Sequence, residues 1–76
     1  MKNIVTDPTI LAGKPVIRGT RIPVYLILNL LAQGYTFERV IKAYPQLKRD
    51  DITAALEYAH NMAKREEIFD LPRMAA

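Results

Sequence analysis

The sequence contains no cysteine and only one histidine, His60. The missing thiols exclude disulfides and thiolate metal sites, and one imidazole cannot by itself build a zinc site. The three glycines, Gly13, Gly19 and Gly34, are too widely spaced for a phosphate-cradling loop. Asp50 and Asp51 are adjacent, so on a helix they point about 100° apart and do not converge as an acid–base pair. An enzyme is therefore not expected, nor a cofactor or metal. Long apolar runs are also missing. The longest, VYLILNLLA, falls far short of the roughly 20 residues that cross a bilayer. The opening MKNIVTDPT has no apolar stretch after its lysine, so no signal peptide is expected and a cytoplasmic prokaryotic protein is the default.

What is present fits one small domain. A chain of 76 residues buries only about 60–65% of the surface its unfolded form exposes. Tight helix packing and self-association are the remaining ways to stabilise it. The formal charge is +3 and unevenly placed. Residues 1–35 carry Lys2, Lys14, Arg18 and Arg21 against Asp7 alone, while residues 36–76 carry seven bases and seven acids. An anionic partner would be felt first at the N-terminal half.

NIVTD (3–7) reads as a short strand ended by Asp-Pro. PVIRGTRIP reads as a hairpin with a type II′ turn, Gly19 first and Thr20 second. That register sets Ile17 opposite Ile22 on one face and Arg18 opposite Arg21 on the other, and Pro23 ends the pairing. A first helix follows over 24–33, started by Pro23 and stopped by Gly34. It is apolar nearly all round, so one side is expected to form a dimer interface, with Tyr25, Leu26 and Leu30 as candidates. Thr36 caps a second helix over 37–44, whose buried face is Phe37, Val40, Ile41 and Tyr44. After the PQL corner, with Leu47 packing back into the core, a third helix starts near Lys48 or Arg49 and runs to about Glu67. Its expected apolar stripe is Ile52, Ala55, Leu56, Ala59 and Ala63, with Asp50 and Asp51 in the dipole-favoured first turn. The whole is a mainly α domain over 1–67, comprising a short strand, a β-hairpin and a three-helix bundle, followed by an apolar tail over 68–76.

The run GKPVIRGTRIPVYLILNLLAQGYTFERVIKAYPQL…DDITAALEYA resembles a small prokaryotic family, the domain of unknown function numbered four-three-three. The resemblance covers about residues 4–60 and is most specific at GKPVIRGTRIPV, Gly34, and YPQL followed by DDI and AAL. It implies a homeodomain-like helix-turn-helix fold and an antitoxin role in a toxin–antitoxin pair, beside a toxin of PIN-like ribonuclease type. Such antitoxins commonly bind their own operator DNA as dimers. Lys48 stands where the family usually has Thr or Ser, which removes a helix cap and adds a base at a possible DNA-facing position.

Candidate DNA contacts are Lys14, Arg18, Arg21, Arg39, Lys42, Lys48, Arg49 and Thr53, the last three near the start of the recognition helix. Two readings stay open for the hairpin arginines. They meet an anionic partner, or they pair with acids of this chain and lock the hairpin onto the helices. For the third helix, the nearby Asp50 and Asp51 and the zero net charge of 36–76 weigh against DNA. His60 falls outside the apolar stripe and reads as a surface residue. Ile68, Phe69 and Leu71 are candidate toxin contacts, or they fold back onto the domain or a dimer mate. The functional expectation is an antitoxin that blocks its toxin sterically and binds operator DNA. The alternatives are a stand-alone repressor and a protein-interaction module without DNA binding.

Overall fold

The computed structural model describes residues 2–66, and three helices follow a small antiparallel sheet. Strand β1 (Ile4–Val5) pairs with β2 (Val16–Ile17), Ile4 against Ile17 and Val5 against Val16. Strand β1 is shorter than the expected 3–7, because Asp7 turns its carboxylate to Thr9 instead of continuing the ladder. The Asp7 carboxylate accepts from both the backbone N–H and the hydroxyl of Thr9, at 2.9 and 2.7 Å. The chain then turns through Leu11–Gly13. Leu11, Ala12 and Gly13 all take positive φ, at 51°, 57° and 85°, in a single 3₁₀ turn. Two consecutive non-glycine residues there cost about 1–2 kcal/mol each, and the turn leaves Leu11 exposed.

The IRGTRI turn differs from the expected type II′. The Thr20 N–H donates to the Ile17 carbonyl and Gly19 has φ 81°. Gly19 is thus the third residue of a type II turn, where a positive φ is required. The Thr20 hydroxyl completes the loop, donating to the Ile17 carbonyl and accepting from the Ile22 N–H. Ile17 and Ile22 do pair, through Ile17 N–H to the Ile22 carbonyl, and both are buried. Pro23 does not end the pairing. It bridges Val16, and Val24 N–H donates to the Pro15 carbonyl. Val16–Pro23 is the non-hydrogen-bonded kind of antiparallel pair, so the missing proline N–H costs nothing. Val16, paired on both sides, is fully buried.

Helix α1 spans Val24–Ala32, one residue shorter than expected, with Gln33 as its C-cap. The Tyr35 N–H donates to Leu30 and the Gly34 N–H to Leu31, and Gly34 has φ 98°. This is a Schellman ending, which consumes two orphan carbonyls and needs the left-handed residue at Gly34. Helix α2 is Phe37–Ala43. Thr36 caps it as expected, its hydroxyl accepting from the Arg39 N–H at 3.1 Å. Leu47, beyond the corner, is buried.

Helix α3 spans Arg49–Glu66. The core joins Ile17, Ile22, Val24, Ile27, Val40, Leu47, Ile52 and Ala55, with Phe37, Ile41 and Tyr44 packed against it. The expected α3 stripe needs correction. Ile52, Ala54 and Ala55 are buried, and Tyr58 packs at the margin, but Leu56 is 41% exposed and Ala63 is exposed too. The buried face is centred a residue away from the predicted one. An 18-residue helix, about 27 Å long, also overhangs so small a body. No described helix is long and apolar enough to cross a membrane.

Candidate functional site

The N-terminal segment is held by two bonds from Arg18 and by one to the start of α3. The Arg18 N–H donates to the Asn3 carbonyl at 2.8 Å, and Arg18 Nε donates to the Lys2 carbonyl at 2.6 Å. Asn3 Nδ2 donates to Asp51 Oδ1 at 2.9 Å. The other Asp51 oxygen accepts from the Lys48 N–H at 3.0 Å. This is the acidic half of a capping box, in which an N3 carboxylate reaches back to the N-cap N–H. It supplies from Asp51 a cap that the Lys48 side chain cannot. The sequence places Asp51 in the dipole-favoured first turn and counts it as a charge against DNA, but does not assign it a cap or a partner in the N-terminal segment. The acid three residues after the N-cap was the available signal for its real position.

Around this clasp lies an open groove lined by Lys2, Arg18, Thr20, Gln46, Lys48 and Asp50. Of the eight candidate DNA contacts it brings together two, Arg18 and Lys48, and adds Lys2. The other six are placed elsewhere. Arg49 is committed to its own chain: its guanidinium meets Glu38 at 2.7 Å and covers the Phe37 ring at 4.9 Å. The Glu38 backbone N–H at the start of α2, then the Arg49 hydrogen bond, hold that carboxyl below its ordinary range. Arg39 lies over the Tyr35 ring at 4.3 Å. Lys42 is exposed on α2. Arg21 is exposed near Asp7, whose carboxyl is lowered mainly by its Thr9 bonds and slightly by the Arg21 charge. Arg18 turns to the N-terminal backbone, while Arg21 is exposed. Lys14 borders a groove between α1 and α3, and Thr53 lies on the outer face of α3.

That outer face is shallow and mixed. Thr53, Leu56, Glu57, His60 and Asn61 line it, with His60 exposed as expected. On α1, Tyr25 is 59% exposed, while Leu26 and Leu30 are half-buried against the core. Ile68, Phe69 and Leu71 lie outside the described residues. Among the described residues there is no cluster of three or more His, Asp or Glu side chains able to hold a metal.

Residues 4–59 match the family model described as "Protein of unknown function (DUF433)". The chain is 40% identical over 72 residues to "Uncharacterized protein y4eO" of Sinorhizobium fredii. That match covers 91% of this chain and 33% of the relative, so the chain spans about a third of the curated protein it resembles. A crystal structure of a DUF433 member from Anabaena variabilis superposes with a TM-score of 0.76 at 30% identity, covering 83% of this chain and 62% of the other. The match over most of the chain, together with this shared fold, shows that the protein belongs to the DUF433 family.

Proposed function

We propose that the chain is an antitoxin-type binding module that neutralises a cognate toxin by covering it. The observation that carries this reading is the outer face of α3. Leu56 stands exposed there between Thr53, Glu57 and His60, a mixed apolar and polar surface of the kind that meets protein. Two of the bases at the helix corner meanwhile meet groups of the same chain, Arg49 at Glu38 and Arg39 over Tyr35. The family resemblance supplies the toxin class, a PIN-like ribonuclease.

Co-expression with the product of the adjacent gene tests the reading. The expected result is a co-purifying complex and relief of growth arrest. Leu56→Asp should weaken that complex about 30-fold or more, the ~2 kcal/mol of an interface hot spot. If the neighbour's product neither binds nor arrests growth, the antitoxin reading fails.

Operator binding is the second half of the proposal. It rests on the groove where Lys2, Arg18 and Lys48 converge beside the start of α3. The proposed DNA-binding form is a dimer meeting along the Leu26–Leu30 flank of α1. A gel shift on the upstream DNA across a salt series, with light scattering for the dimer, separates the readings. Sequence-specific binding that falls steeply with salt supports it. Toxin binding by a chain that ignores this DNA leaves a pure interaction module.

A further inference from the structure

The Gly19–Thr20 turn stands between two grooves. On one side lies the groove of Lys2, Arg18 and Lys48 described above. On the other, a second groove runs over Ile10, Ile22 and Tyr44, with Arg21 as its charged residue. Gly19, Thr20 and Gln46 border both. They form a ridge with bases on either flank, drawn from the N-terminal segment, the hairpin and the helix corner.

Among the described residues, none of these four bases forms an ion pair. Arg18 spends its Nε on the Lys2 carbonyl, which orients the guanidinium and leaves its terminal nitrogens for a ligand. Asp51 lines the first groove, but both its oxygens accept bonds within the chain. Asp50 is the exposed acid beside it. The ridge itself is low, because Gly19 has open space where a side chain would stand. The Thr20 hydroxyl, bound to Ile17 and Ile22, holds the turn in place.

This chemistry suits phosphate better than protein. The first groove has no large apolar side chain in its lining, and the anchors of a protein partner need one. Arginine, lysine, a side-chain amide and open backbone are the groups that phosphate oxygens take. A nucleic-acid backbone carries charge at regular intervals, so one strand can meet cations on both flanks of a turn.

We propose that the Gly19–Thr20 turn works as a wing straddled by one DNA backbone, with phosphates meeting Arg18 and Lys48 on one flank and Arg21 on the other. This rests on the operator reading and adds a second line of contact, from outside the helix corner.

The test is the affinity of the full chain for a duplex of its upstream DNA, measured across a salt series. Losing one phosphate contact removes about 0.9 from the slope of log affinity against log salt, or about 5–10-fold in affinity near 0.1 M salt. Arg21→Ala and Lys48→Ala should each show this loss, and the double variant about twice the change in slope. Lys64→Ala removes the same charge near the far end of α3 and should leave the slope unchanged. Asp50→Asn should tighten binding about threefold. All four side chains are exposed, so the fold should hold. A loss at Lys48 with none at Arg21 would overturn the proposal and leave the operator reading standing. Equal losses at Arg21 and Lys64 would overturn it as an effect of net charge alone. No binding by the unsubstituted chain would overturn both readings. If Arg21→Ala loosened a toxin complex and spared DNA, the second flank would belong to an acidic protein surface instead.

Discussion

Ile52→Ala should lower the unfolding free energy by about 2–5 kcal/mol, the range for removing a buried isoleucine and leaving a cavity. Ile52 is fully buried in the first turns of α3, in one cluster with Ile17, Ile27, Val40 and Leu47. A chain of this length has about 4–11 kcal/mol of total stability, so the loss is close to half of it. With a urea dependence near 1 kcal/mol per molar, the midpoint should fall by about 2 M or more. Thr53→Ala, one position along and exposed, should stay within about 0.5 kcal/mol. Equal effects at positions 52 and 53 would mean that α3 is rotated from the face described above.

Asp51→Ala should cost about 2 kcal/mol, although the residue is only half-buried. Its carboxylate caps the Lys48 N–H and holds Asn3, so one substitution opens the start of α3 and frees the N-terminal segment. Helix caps contribute about 0.5–2 kcal/mol, and a bond to a charged acceptor about 1.5–3 before exposure reduces it. Asn3→Ala should cost less, and a double-mutant cycle should show about 1 kcal/mol of coupling between the two positions. Asp50→Ala, on the neighbouring exposed carboxylate, should be close to neutral. Urea unfolding of these forms decides the matter. If positions 50 and 51 behave alike, the clasp contributes nothing.

Much of the helical part was legible in the sequence because its signals are local. Thr36 and Gly34 sit where a cap and a stop must sit, and the 37, 40, 41, 44 spacing found the face of α2 that packs on the core. The Ile17–Ile22 pairing was legible for the same reason. The turn between them was not. A type II turn takes its glycine at the third residue and a type II′ turn at the second, so a single Gly19 fits either, depending on where the turn begins. The left-handed run at Leu11 and Ala12 carried no signal, since neither residue favours that region. The α3 stripe failed at Leu56 because periodicity gives a face only to within a residue, and the buried face runs through Ala54, Ala55 and Tyr58 instead. It failed at Ala63 because the body beneath does not extend along the whole helix. Of the candidate site, Arg18 and Lys48 converge as a pair, which chain distance hid. Arg49 and Arg39 looked free because their partners, Glu38 and Tyr35, act through side-chain geometry rather than spacing.

The Asn3–Asp51 bond also sets an order of folding events. Its partners stand 48 residues apart. The two strands and their turn close over short loops, as do α1 and α2, and the β1–β2 ladder already holds Asn3 beside Arg18. The side-chain bond from Asn3 must wait for the start of α3, and closing so long a loop costs more entropy than the local turns do. The carboxylate it waits for also caps α3, so the sheet and that helix are locked together by one residue.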